Sequence, residues 1–545
     1  MVRKTRDCIG FPLKNCQTMV YFQYKDSIDN RMEVAMLQKD TVSFTMFDDM
    51  FFTSLVPKDH LLVKIQSLID FSFVYAIVRD SYSAEKGRGS IDPVLLVKVL
   101  LLEYLYDLSD VQVVKRIQTD VAFRWFLGLT LDDKAPDDTT VSHFRVKRLK
   151  DTHFEQIFTE IVRKCVERDL VKTRRYMMDS TDVAANAAYP SDKQLLRQAF
   201  RKVVRQVARF DAGLAASSED ELERAIDAAY EGGEKVTVAR QYEITEEHFQ
   251  ELYTQVHERL ASDEGLREAF RVCRDVLDAK LVPGKGADAV ISVVDPDARV
   301  AHKTPGNLKR GYKDHIIVDE DSEIILASVQ TPFNVRDEHK CVELVEKVAE
   351  TLQLQPEEVS ADKVYGTVDN RAYLMDNGMT ANIAFPKEPD GENAVFGIRD
   401  FTISEDVSSV TCPEGKVSCF CRIREAKDHR KFKDFRFPIE GCRDCTQRGR
   451  CLGKNKKGEI PKNRTRRLTV PLRYDAVLHD RRHCGTEAFK KAYDKRSKVE
   501  RRFATMVRNH GLRRCRSTGM ARARIHITLA NMACNVVRMV NLVYV

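Results

Sequence analysis

The chain has 545 residues, 43% of them hydrophobic and 31% charged, which excludes a disordered or fibrous polymer and allows more than one core. The first thirty residues lack a continuous apolar stretch. The best apolar runs are broken by Lys98 and Glu103 in one and by Asn531, Asn535 and Arg538 in the other, so neither a secretory leader nor a membrane span is expected. The net charge of +7 hides a division: residues 421–524 hold 33 Lys/Arg against 11 Asp/Glu, a local +22 that leaves −15 for the rest. Such a segment suits a polyanion, most simply nucleic acid, the alternative being a solvated basic face.

In chain order, residues 1–50 show no period and read as an N-terminal arm. Residues 51–165 read as a helical domain. Asp92-Pro93 is a helix start, with Asp capping and Pro first in the helix. The apolar stretch 94–108 follows, then helices over 109–118, capped by Ser109, and over 139–150. Short helices with brief connections resemble a helix-turn-helix bundle, with plain helical packing as the alternative. Residues 166–192 hold a strand, Tyr176-Met177-Met178, that meets Asp179 and Asp182. Residues 193–285 read as a helical insertion, in which 219–280 carry 17 acids and 8 bases. Residues 286–390 read as strands at 289–294, 311–318 and 323–331, a hairpin turn at 319–322, a helix at 337–352, a strand at 359–361 leading into Asp362, a helix at 368–377 ending at Gly378, and a strand at 381–385. That order describes an α/β fold with a mixed sheet. Residues 391–470 form a Cys-rich insert, and 471–545 carry a long helix at 486–508 and a last one at 522–545.

Three acids carry the chemistry. Asp179 and Asp362 each follow a short apolar strand, where side chains of an α/β sheet enter the crevice that binds ligands. Neighbouring carboxylates there need a cation, and oxygen-only donors suit Mg²⁺ or Mn²⁺. Glu500 is the third candidate. It shares a helix face with Tyr493 and Arg496 at spacings of three and four. Glu on metal and Arg on phosphate would make that face functional. A solvated helix, given Lys495, Lys498, Arg501 and Arg502 around it, is the alternative. Asp182 reads as a surface residue, and Asp295 and Asp297 as turn residues. His302, His315 and His339 lack metal spacing, and Gly284-Lys285-Gly286 reads as a linker.

These segments together resemble the DDE (Asp-Asp-Glu) transposases of bacterial insertion sequences, in the branch with a Tyr-x2-Arg-x3-Glu signature. The resemblance rests on residues 176–188 (YMMDSTDVAANAA), 311–318 (GYKDHIIV), 360–366 (SADKVYG) and 493–500 (YDKRSKVE), in that order. Residues 90–145 are similar to the N-terminal domain of the same family. The resemblance implies a ribonuclease-H-like mixed sheet bearing Asp179, Asp362 and Glu500, which hold two Mg²⁺ or Mn²⁺ ions for in-line phosphodiester displacement by water or by a DNA 3′-hydroxyl. It implies that Arg496 binds a backbone phosphate and that Tyr493 contacts a distorted DNA end, with Lys363 also in the DNA-binding set. The family pattern often has a Lys seven residues after the Glu. Here that position is Val507, and Arg508 beside it is the substitute candidate. The expected partner is double-stranded DNA, at the element ends and the target, bound by a homodimer without a membrane, in a bacterial cytoplasm at the nucleoid. A nuclease of the same fold without strand transfer, or a domesticated DNA-binding regulator, remain alternatives.

The fourteen cysteines read as thiols or metal ligands rather than disulfides. Cys412-Pro-Glu-Gly, Cys442-x2-Cys445 and Cys451 resemble a zinc ribbon or knuckle, with Cys412, Cys442, Cys445 and Cys451 as the expected Zn²⁺ ligands and Cys419 or Cys421 able to replace one. Reduced thiols without metal are the alternative.

Overall fold

The computed structural model describes residues 44–82, 90–229, 237–282, 285–304, 307–386, 395–418, 420–426, 430–453, 458–460 and 464–544. The expectations for most of the N-terminal arm, Gly284, Cys419 and the His302 side chain lie outside the described residues.

Six strands form the main sheet: β1 (Arg175–Ala184), β2 (Arg299–Thr304), β3 (Asn307–Asp319), β4 (Ile325–Pro332), β5 (Glu358–Ala361) and β6 (Thr380–Ile383). The long β3 lies antiparallel to β1 on one edge. Its other edge pairs with β2 near its start and with β4 beyond it. From β1 the sheet continues through parallel β5 and β6. The sheet is therefore mixed, as the strand and helix order predicts. Gly311 is required where β3 crosses β1, because its φ is +135° and a Cβ there would stand 2.4 Å from the Val183 carbonyl oxygen.

One apolar core joins this sheet to the N-terminal helices and to the last helix, Met520–Tyr544. Helix Pro93–Leu105 starts as expected, with the Asp92 carboxylate accepting from the Val94 amide. All its residues but Val94 are buried. The charges that interrupt its apolar run are paired inside the protein. Lys98 donates to Gln66 Oε1 at 2.8 Å and to the Phe126 carbonyl at 2.9 Å, and Glu103 meets Arg145 at 3.0 Å. Helix Met520–Tyr544 is long and apolar enough to cross a membrane, yet 67% of its most apolar window is buried in the protein. Its Asn535 exchanges two hydrogen bonds with the Ile325 backbone of β4, which makes it a core helix.

Four helices, Asp192–Val207, Ala212–Ala228, Val238–Val256 and Glu264–Leu281, build the expected helical insertion around its own core. The strand expected at 289–294 is irregular chain instead. Val290 is drawn into the core of the insertion, and Asp295-Pro296-Asp297 forms a turn before β2 begins. Both acids are structural there: Asp295 accepts from Tyr312 Oη at 2.5 Å and Asp297 from the Met520 amide at 2.9 Å. The helix expected at 139–150 is helical only over Asp138–His143. A wider turn, Phe144–Arg148, then lets Arg145 reach Glu103 and Asp110.

Between β6 and the C-terminal helices lies a third apolar cluster that includes Phe401, Val410, Phe435, Phe437 and Val470, with Cys412, Cys442 and Cys451 packed against it. A three-stranded antiparallel sheet, Phe420–Glu425, Lys431–Arg436 and Arg467–Pro471, spans it. Asp434, 1% exposed, stands within 3.5 Å of Arg422, Arg424 and Arg467.

Candidate active site

The sheet register brings two of the expected acids together. Parallel pairing of β1 with β5 ends at Met178 opposite Ala361, so Asp179 and Asp362 leave the ladder side by side. Asp179 lies inside its strand rather than at the end expected for it. β3 keeps pairing with β1 as far as Ala184, while β5 stops. Asp362 is the first residue after β5, and its carboxylate caps the turn Lys363–Tyr365 by accepting from the Lys363 amide at 2.7 Å. Gly366 ends this turn against Arg371, and a Cβ there would stand 2.5 Å from Arg371 Nη2. Arg371 is fully buried, pairs with Asp480 at 2.7 Å and donates to the Ile383 carbonyl at 3.0 Å. The loop behind Asp362 is thereby tied to β6 and to helix Tyr474–Cys484.

The third acid arrives on a broken helix. The sequence predicts one helix over 486–508; the structure has two, Glu487–Lys495 and Ser497–Asn509, joined at Arg496. The Arg496 amide donates to the Tyr493 carbonyl in a tight turn, and the side chain bridges two acids. Its guanidinium lies 3.2 Å from Asp179 Oδ2 and 3.3 Å from Glu500 Oε1, and 5.8 Å from the centre of the Tyr493 ring. Tyr493 stacks on Phe489. Tyr493, Arg496 and Glu500 thus remain grouped although they do not share a continuous helix.

The surrounding bases are paired with acids of the sheet, although Lys495 and Arg501 stay exposed. Lys495 meets Glu320 Oε1 at 2.7 Å, Lys498 donates to the Glu320 carbonyl at 2.9 Å, and Arg501 and Arg502 meet Glu323 at 3.1 and 3.0 Å. Glu320 and Glu323 lie in the turn between β3 and β4, so these four bases clamp the helix pair to the sheet. Val507 is half-buried and packs against the main core, whereas Arg508 and Lys363 are exposed.

Burial pushes the Asp179 carboxyl up to about 6. Asp362 and Asp337 act in the same direction, against the Ser180 amide and Arg496. Sequence reasoning missed Asp337. It pairs with Lys313 at 2.7 Å and stands 3.8 Å from the buried His315, whose imidazole burial holds well below its ordinary range. Lys313 and His315 lie in the quoted GYKDHIIV segment, but nothing in the sequence places Asp337, beyond the end of β4, beside Asp179. Asp182 is also more than a surface residue. It is 16% exposed and pairs with Lys309 at 2.9 Å. His339 is exposed.

Among the described residues no group of three or more His, Cys, Asp or Glu side chains stands in a metal-holding array. In the acidic site, Arg496 lies between Asp179 and Glu500 and supplies the positive charge there. The donor chemistry nevertheless fits a hard divalent cation: carboxylates only, one of them half-buried with its ionisation opposed by two neighbouring acids. Four cysteines, Cys412, Cys442, Cys445 and Cys451, line one cleft beside Phe396 and Phe437, and the Lys416 amide donates to Cys412 Sγ at 3.3 Å. Cys421 is exposed and does not line that cleft.

Two family models match the chain. One, described as a transposase domain, covers residues 50–147, and the other, described as a transposase DDE domain, covers residues 411–540. The second includes Tyr493, Arg496 and Glu500 and the four clustered cysteines; Asp179 and Asp362 lie outside both.

Proposed function

We propose that this chain, which belongs to the DDE transposases of insertion sequences, binds the terminal inverted repeats of its element. It cleaves and joins DNA there with Asp179, Asp362 and Glu500. The observation that carries the assignment is that the β1–β5 ladder ends just before Asp179 and Asp362, which sets them side by side, and that Arg496 pairs with both Asp179 and Glu500. The strand order β4-β3-β1-β5-β6, with β3 antiparallel to both neighbours and β1, β5 and β6 parallel, supports a ribonuclease-H-like reading of the sheet.

Asp179, Asp362 and Glu500 would hold two divalent cations, Mg²⁺ or Mn²⁺. Bound there, the cations would activate the attacking oxygen and offset charge on the leaving oxygen of an in-line displacement. The chain's own residues prepare that step. Asp179 is kept partly dry and close to Asp362, so the pair gains most from a cation. Arg496, released from the two acids, is placed to bind a backbone phosphate, and a planar guanidinium suits that role. Tyr493, braced by Phe489, offers an aromatic face to the same DNA end, and Lys363 and Arg508 are exposed candidates for further phosphate contacts. Action on two element ends suits a homodimer on DNA.

The test is incubation of the protein with DNA carrying the repeats that flank its coding region, with Mg²⁺ or Mn²⁺. Cleaved and joined products are expected, and Asp179→Ala should bind DNA without cutting it. Cleavage without joining would leave a nuclease. Binding without cleavage by the unaltered protein would leave a regulator. Full cutting by the Asp179→Ala variant would refute the assignment of this site.

The cysteine cleft has the donor set of a structural Zn²⁺ site, and we propose Cys412, Cys442, Cys445 and Cys451 as its ligands. The Lys416 amide on Cys412 Sγ already makes the supporting hydrogen bond such a ligand receives.

A further inference from the structure

A second cleft, of about 430 Å³, opens at the far end of β1. Its walls carry Lys309, Arg310, Arg513 and Arg514, with Tyr189 beside them and the small side chains of Ala184 and Ala185 leaving room. Lys309 is neutralised by Asp182 at 2.9 Å. Three guanidinium groups remain, and all three residues are exposed.

Arg513 and Arg514 are held in place by the sheet. The Ala184 amide donates to the Arg513 carbonyl at 3.0 Å, and the Cys515 amide donates to the Ala184 carbonyl at 2.8 Å. Leu512 and Cys515 on either side are buried, which turns the two arginines outward. Arg310 lies 4.8 Å from the centre of the Tyr189 ring. The Tyr189 hydroxyl is buried with no hydrogen-bond partner among the described residues; burial and the Asp295 carboxylate push it up, against Arg310 and Arg514. Three exposed guanidinium groups on an anchored backbone, beside an unpaired hydroxyl and with Asp182 already paired to Lys309, suit an anion with several acceptor oxygens.

We infer that this cleft is a DNA-backbone site, in which Arg310, Arg513 and Arg514 hold phosphates of the DNA leading away from the catalytic acids. The inference rests on the proposed catalytic reading for its direction. Asp179 and Ala184 are five residues apart on one strand, roughly 17 Å. At about 3.4 Å of duplex axis per nucleotide of a strand, the cleft meets phosphates about five base pairs from the cleavage point. Cations at that remove fix register on the backbone rather than read bases.

The test measures affinity against salt for two duplexes, ending about two and about fifteen base pairs beyond the cleavage point on the cleft side, so that only the longer reaches the cleft. Each phosphate contact contributes about 0.9 to the slope of log K against log salt. The Arg513→Gln/Arg514→Gln variant should lose about 2 from its slope on the long duplex, approaching the slope of the unaltered protein on the short one. The Arg513→Lys/Arg514→Lys variant, which keeps the charges, should retain most of the slope. An unchanged slope in the Gln variant overturns the inference, and so does equal loss in the Lys variant, which would mark a structural role. Duplexes with the flanking repeat and with scrambled sequence separate element end from target as the source of the phosphates. Cleavage by the unaltered protein, read in the same mixtures, tests the catalytic reading separately: no cleavage with a normal slope loss sinks that reading and leaves the cleft standing.

Discussion

Replacing Asp179 by Asn separates what the site costs the fold from what it does. The carboxyl is raised from 3.8 to about 6, chiefly by burial. A carboxylate raised in the folded state contributes stability that is present below its unfolded value and lost as pH rises through the folded one. The ionised Asp179 of the metal-free protein is therefore a liability above about pH 6. A shift of about 2 units corresponds to at most ~3 kcal/mol. The side chain is 20% exposed, and the Asn variant forgoes the attraction of Arg496, so a net gain of about 1–2 kcal/mol is the reasonable expectation. Urea unfolding of the two proteins should coincide near pH 4 and separate by that amount at pH 7.5, with the variant more stable. Mg²⁺ at about ten times its dissociation constant should return about 1.4 kcal/mol to the unaltered protein and much less to the variant. The variant should not cleave DNA. A variant less stable at pH 7.5, or equally stabilised by Mg²⁺, would refute the account of Asp179 as a half-buried, cation-seeking carboxylate.

Asp337→Asn removes a charge that raises Asp179, so the acid limb of the pH–rate profile should move to lower pH; an unmoved limb, or one moved upward, would show that Asp337 is not coupled to the site. Asp480→Ala leaves the guanidinium of Arg371 buried without its partner and should cost about 3–5 kcal/mol, seen as an earlier unfolding transition. Because Arg371 braces Gly366 and the turn after Asp362, cleavage should fall with stability, and a variant as stable as the unaltered protein would contradict that support. Protein purified without chelator should carry about one Zn²⁺ per chain by elemental analysis, and Cys442→Ser should lose most of it. Metal-free protein with four titratable thiols in the cleft would refute the zinc assignment.

Much of this protein is legible locally. The start of helix Pro93–Leu105, the strand Tyr176-Met177-Met178, the helical insertion and the grouping of Tyr493, Arg496 and Glu500 follow from capping, apolar periodicity and motif spacing, which act over a few residues. Asp362 directly after its strand is likewise a local pattern, whereas Asp179 lies within a strand that the sequence suggested would end there. Only the tertiary structure decided how they meet. The register of β1 on β5 set Asp179 beside Asp362, and the break at Arg496 placed one guanidinium between two carboxylates. Distance in sequence also hid Asp337 from Asp179, and hid Glu320 and Glu323 from the basic helix they clamp. Val290 went to the insertion rather than to the sheet because burial in a neighbouring core outweighed its strand preference. The charge division seen at the outset changes meaning in the same way. Part of the +22 is neutralised by acids of the −15 remainder that fold against it, while Arg513 and Arg514 stay exposed. A sequence counts charges, but pairing depends on which side chains the packed chain brings within a few ångströms.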